Sequence, residues 1–188
     1  MEVQDKIGIY VFSANSKVAP QERIRQSAVH YAAYAEILLT QELEILAGEY
    51  GKPYFKHYDR LHFSVSHSGE YYLCGLHTSP LGIDIEKIHA CNRLGIARRF
   101  FHAEEYEFLL QKDEEAFFRV WTAKESYVKY LGRGISDEFS QFSVAGAQQT
   151  GLLADGSRIA YLDGFDGYCA CVCSAQIAGI NIFREGSF

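Results

Sequence analysis

Asp84 and Glu86, in the stretch LGIDIE, stand two residues apart in a segment that reads as a β-strand. On a strand both carboxylates project from one face, while Ile83 and Ile85 turn to the core. Two like charges on one face repel each other. A hard divalent cation removes that repulsion, and Mg2+ typically takes one or two carboxylates together with substrate phosphates. Taken alone, the alternation more often marks the wet face of an antiparallel sheet.

WTAKESYVK, residues 121–129, supplies the second group. Read as a helix, it puts Phe117, Trp121, Lys124 and Val128 on one stripe, with Glu125 and Lys129 one turn apart at its edge. The plain reading of Glu125 and Lys129 is a surface pair worth a few tenths of a kcal/mol. Lys124 could lay its methylenes on Trp121 and send its charge to water, and an apolar side chain there would suit the stripe as well. SVSHSG places His67 between Ser66 and Ser68 at a strand end, where hydroxyls, backbone N–H groups and an imidazole can meet an anion. In GKP, Gly51 and Pro53 stiffen a loop that carries Lys52. Each of these is also an ordinary turn.

The elements that must position these residues follow from periodicity and punctuation. IGIYVFS reads as a strand, and a helix opens at Pro20 and runs to about Gly48, burying Ile24, Ala28, Tyr31, Ala35 and Leu38. HFSVSH, YYLCGLH and LGIDIEKI form a meander of three strands. Helical segments follow from Asn92, the last opened by Asp113 as N-cap and closed at Leu131-Gly132. FSQFSVAG, SRIAYLDG, YCACVCSA and GINIFRE then read as strands. The order helix then antiparallel strands occurs twice, which predicts an α+β fold of two closely packed lobes, residues 1–86 and 87–188, with a ligand cleft between them.

Bulk properties narrow the function classes. The 188 residues are 48% apolar, with Gly and Pro at only 16 and 3 positions, so the chain is a folded globule. A net charge of -6 lacks the positive field of a nucleic-acid binder, and an anionic ligand must meet a local basic pocket. MEVQDKIGIYVFS does not look like a secretory signal, no stretch approaches a membrane span, and five cysteines fit a reduced compartment; the expectation is a cytoplasmic protein. Cys169, Cys171 and Cys173 alternate, which suits one buried strand face better than a metal knuckle.

The GKP loop, FSVSHSG, LGIDIE and WTAKESYVK, with RFF at 99–101 and the AEEYEFL after it, together closely resemble the Sfp-type 4'-phosphopantetheinyl transferases. Order and separations both fit, over about residues 48–145. The resemblance implies a pseudo-symmetric monomer, each lobe a long helix on a small antiparallel sheet, with coenzyme A and Mg2+ in the cleft. The implied reaction moves the phosphopantetheine arm of coenzyme A to a serine of an acyl or peptidyl carrier protein, in fatty-acid, polyketide or nonribosomal-peptide synthesis, and releases adenosine 3',5'-bisphosphate. Carried over by position, Asp84, Glu86 and Glu125 hold the metal. Ser66, His67 and Lys129 meet phosphates, and Lys52 and Pro53 border the nucleotide. Lys124 lies between core and site, needing a phosphate or an acidic partner. Glu125, or a water of lowered pKa, takes the serine proton, and Lys129 stabilises developing charge.

The long helix departs from that pattern. Where relatives carry a basic cluster and an arginine followed by Ser or Thr for the 3'-phosphate, RIRQSAVHYAAYAE offers Arg23 and Arg25, with His30-Tyr31 in place of the pair. Two other readings use the same residues: a catalytically weak module that binds carrier proteins or coenzyme A, and a metal-dependent hydrolase of diphosphates.

Overall fold

A computed structural model describes residues 6–133 and 137–188. The first five residues, on which the reading of the N-terminus partly rests, lie outside that range. The fold is a mixed α+β arrangement of five α-helices and small sheets among the described residues.

The first sheet has the order β4-β5-β1-β9, from β1 (Ile7–Ser13), β4 (His62–Ser68), β5 (Tyr71–His77) and β9 (Ile180–Arg184). Helix α1 (Pro20–Tyr34) packs on it through Ile24, Ala28 and Tyr31, beside Tyr10, Phe12, Phe63 and Leu76. A short hairpin, β2 (Ile45–Ala47) and β3 (Pro53–Phe55), lies next in sequence. The second sheet, β6-β8-β7, is built from β6 (Leu81–Lys87), β7 (Arg158–Tyr161) and β8 (Tyr168–Ser174). Helix α4 (Glu114–Leu131) lies across it, with α2 (Arg93–Phe100) and α3 (Ala103–Leu109) at its side and α5 (Ala147–Thr150) before β7. Cys169, Cys171 and Cys173 are buried in the core that includes Phe117, Val120 and Val128 of α4, as their alternation predicts.

The expected helix ends are met at α4: the Asp113 carboxylate accepts from the Ala116 N–H, and Gly132 closes the helix at φ 70°. Helix α1 is shorter than expected. It stops at Tyr34, because Glu36 enters the left-handed region at φ 56° and the Ile37 N–H turns back to the Ala32 carbonyl. Leu38, expected in the core, is 80% exposed. The strand expected at 139–146 is absent too; a 3-10 turn (Asp137–Gln141) and a loop stand there. Its backbone is used elsewhere: the Phe142 carbonyl accepts from Lys124 Nζ at 2.7 Å, and the Val144 N–H donates to Glu105 Oε1 at 2.7 Å.

A division at residue 86 does not coincide with the sheets. β6 leaves the expected meander to pair with β8, and β9 returns from the far end of the chain to lie parallel to β1. Among the described residues no helix is long and apolar enough to cross a membrane.

Candidate active site

β6 runs beside β4, but the two strands belong to different sheets. The backbone N–H groups of Ile83, Ile85 and Lys87 donate instead to the side-chain oxygens of Ser64, Ser66 and Ser68, at 3.1, 3.3 and 3.0 Å. Spacing by two puts the three hydroxyls on one face of β4, where they do the work of missing carbonyls. Two of them also reach the acidic pair. Ser66 donates to Asp84 Oδ1 at 2.8 Å and Ser68 to Glu86 Oε2 at 3.0 Å.

Helix α4 comes down on β6 at Gly82. A Cβ on Gly82 would stand 2.0 Å from the Ser126 carbonyl oxygen and 2.3 Å from the Tyr130 nitrogen, so only glycine admits this approach. The contact brings Glu125 and Lys129 to the acidic strand. Lys129 Nζ donates to Asp84 Oδ1 at 2.7 Å and to Ser66 Oγ at 3.1 Å. Asp84 is buried, and its other oxygen, Oδ2, has no hydrogen-bond partner.

The charge balance is unfavourable. Burial raises the Asp84 pKa against the pull of Lys129 and Ser66, and burial with the Asp84 charge raises that of Glu86. Burial, followed by the charge of Asp84 and a smaller contribution from Glu86, pushes Glu125 up to about 7 despite Lys129. Three carboxylates share one ammonium. Among the described residues no three His, Cys, Asp or Glu side chains form a ready-made metal cluster.

Beside this group lies a cavity of about 220 Å³, lined by Lys52 and Pro53, by Phe63 and Val65 of β4, and by Glu125 and Lys129 of α4. His67 follows Phe63 and Val65 in the same alternating row and is exposed. Lys52 donates to the carbonyls of Leu81 and Tyr130 at 3.1 and 3.0 Å, tying its loop to β6 and to the end of α4. Burial without a carboxylate partner lowers its pKa to about 8.

Lys52, Pro53, Ser66, Asp84, Glu86, Glu125 and Lys129 lie in and beside this one cavity, with His67 farther along β4. The ligand-contact expectation for Lys124 is corrected. Its side chain has 0% exposure and its ammonium is bound by Glu105, 2.8 Å away and equally buried, and by the Phe142 carbonyl. Arg25 is corrected as well: it donates to the Leu43 carbonyl and lines a separate groove between α1 and residues 39–43. Arg23 is buried on the carbonyls of Ser16 and Val18, and His30 bonds the Tyr10 hydroxyl beside Phe183. None of these three reaches the cavity.

Sequence reasoning missed Glu105, Gly82 and the roles of Ser64 and Ser68. A glycine inside a strand pattern marks close backbone approach, so Gly82 carried a readable signal. Glu105 had one too, as the Glu three residues after a helix N-cap.

Residues 80–173 match the family described as the 4'-phosphopantetheinyl transferase superfamily. The chain is 34% identical over 211 aligned positions to the 4'-phosphopantetheinyl transferase gsp of Aneurinibacillus migulanus, covering 97% of this chain and 87% of that protein. The chain belongs to the 4'-phosphopantetheinyl transferase superfamily. It is also 38% identical to 4'-phosphopantetheinyl transferase Sfp of Bacillus subtilis over 138 residues, 68% of this chain and 61% of that one. A match to the putative 4'-phosphopantetheinyl transferase slr0495 of Synechocystis is 36% identical over 55% of this chain and 45% of that protein. The chain thus spans about three fifths of the Bacillus subtilis relative and under half of the Synechocystis one. The region matched to the family contains the acidic strand β6, helix α4 and all but the last residue of strand β8.

Proposed function

We propose that this chain transfers the 4'-phosphopantetheine arm of coenzyme A to a serine of an acyl or peptidyl carrier protein, with adenosine 3',5'-bisphosphate as the leaving product. The observation that carries this reading is the convergence of Lys52, Glu125 and Lys129 on one cavity beside the acid pair of β6. A hairpin loop, an apolar wall and an ammonium make a bed for a nucleotide and its diphosphate.

The acidic group fits Mg2+. Asp84 Oδ2 is a buried carboxylate oxygen without a hydrogen-bond partner, and Glu86 and Glu125 both have pKa values raised by burial first and by negative neighbours second. Asp84, Glu86 and Glu125 would hold the ion, an all-oxygen donor set suited to a hard cation. When bound, Mg2+ supplies positive charge to the diphosphate oxygens during transfer.

The chain's own groups account for the rest. Lys129, already between Asp84 and Ser66, offers its ammonium to the same diphosphate, and His67 extends the row toward solvent. Attack by the carrier serine on the β-phosphorus loads charge on the transferred and leaving oxygens, so a positive environment is what lowers the barrier. Glu125, which lines the cavity, accepts the proton of the serine hydroxyl. The likeness of α1 on the first sheet to α4 on the second supports two pseudo-symmetric lobes. A monomer acting in the cytoplasm completes the reading.

Incubation with coenzyme A, Mg2+ and a panel of apo carrier proteins, read by intact mass, tests it. The expected result is a carrier heavier by one phosphopantetheine, lost in Asp84→Ala, Glu86→Ala and Glu125→Ala. Free phosphopantetheine without a heavier carrier identifies a hydrolase, and binding without either product identifies a non-catalytic module.

A further inference from the structure

Ser64, Ser66 and Ser68 face Gly82, Asp84 and Glu86 across the seam, each accepting from the N–H of the next residue on β6. A strand edge is normally satisfied by carbonyls of a fixed backbone. Hydroxyls satisfy the same N–H groups and keep one proton to give. Ser66 gives its proton to Asp84 and Ser68 gives its proton to Glu86, so lobe docking and carboxylate aim are set by the same atoms. Ser64 differs from the others, since the residue opposite it is Gly82 and has no side chain.

Glu86 has most need of such a hold. It is more exposed than Asp84, and the Ser68 hydroxyl donates to its Oε2 at 3.0 Å. The Ser68 oxygen is itself fixed by the Lys87 N–H, so the hydroxyl is aimed at Glu86 Oε2. Without the Ser68 hydroxyl, the Glu86 carboxylate loses this anchor and is free to swing to water, away from its like-charged neighbour.

We infer that Ser68 is a positioning residue for cation binding, orienting Glu86 toward Asp84 through its hydroxyl, while Ser64 serves the seam alone. This rests on the metal reading above. Groups that orient ligands in this way typically change metal affinity by 10–100-fold when removed.

The test is Mn2+ binding to the full chain, with no coenzyme A, followed by electron paramagnetic resonance of the free ion. Ser68→Ala should weaken Mn2+ at least tenfold. In the isosteric pair Ser68→Thr and Ser68→Val, threonine should hold Mn2+ within about threefold of the parent and valine should lose affinity as alanine does, the two having the same shape and differing in the hydroxyl. Ser64→Ala should lower the melting temperature and leave the Mn2+ affinity unchanged. Should Ser68→Ala fold poorly, the Thr and Val pair decides. Equal affinity of the Thr and Val variants, or an equal loss in Ser64→Ala, overturns the proposal while the metal reading stands. A parent chain that binds no Mn2+ overturns both.

Discussion

Replacing Lys124 by methionine tests the reasoning about the core of the second lobe most directly. The change keeps the length and most of the volume of the side chain, so little of its effect can come from a cavity. What it removes is the ammonium 2.8 Å from Glu105, where both side chains have 0% exposure. Glu105 retains the N–H groups of His102 and Val144, at 3.1 and 2.7 Å, but no cation. The Phe142 carbonyl loses the 2.7 Å bond from Lys124. Removing one partner of a buried ion pair costs about 3–5 kcal/mol. A chain of this size loses about 2–4 °C of melting temperature per kcal/mol, so a fall of roughly 10 °C is expected. Sequence alone suggested the reverse, that an apolar side chain would suit the stripe; the buried carboxylate changes the sign. Calorimetry and urea denaturation of Lys124→Met, Glu105→Gln and the double variant close the cycle. In the double variant the amide that replaces the Glu105 carboxylate is neutral and can still accept from backbone, so part of the loss should return. A Lys124→Met protein melting within about 2 °C of the parent would refute the argument.

Three further outcomes are expected. Gly82→Ala should destabilise the protein by about 1–3 kcal/mol or more and depress transfer, because its Cβ meets α4 backbone on two sides; unchanged melting would show that the helix can retreat freely. In metal-free buffer, Glu125→Gln should gain stability over the parent as pH rises from 5 to 8. The native carboxyl, with a pKa of about 7 against an ordinary 4.5, binds more protons than the unfolded one in that window, so the parent loses stability there; a gap independent of pH would contradict it. Lys52 titrates at about 8 in the fold against an ordinary 10.5, so the unfolded chain binds more protons between those values and the parent should gain stability relative to Lys52→Met from pH 8 to 10. Urea midpoints for both proteins across that range check the slope.

Much of the site was legible because its signals are local. Alternation placed Asp84 and Glu86 on one strand face, caps fixed both ends of α4, and helical spacing set Glu125 beside Lys129. What stayed hidden depends on partners distant in sequence. Lys124 could be placed on an apolar stripe, but not paired with Glu105, nineteen positions away. The apolar residues of 139–146 do pack inward, as a strand reading requires, yet their backbone goes to Lys124 and Glu105 side chains in place of a ladder. Leu38 fitted the period of α1, but the period carries no information about where a helix stops. SVSHS was read as a turn for anions; that its serines stand in for a strand edge could be seen only once β6 lay opposite.

The parallel pairing of β9 with β1 has a kinetic consequence. Ile7 sits against Ile180 and Val11 against Arg184, so β1 waits for a strand far along the chain before its second neighbour exists. Closing so long a loop before any contact rewards it slows folding. Until then β1 has an open edge, the kind of surface on which chains associate wrongly. Refolding from urea should therefore show aggregation that rises with protein concentration and falls when a peptide of residues 179–185 is supplied in excess.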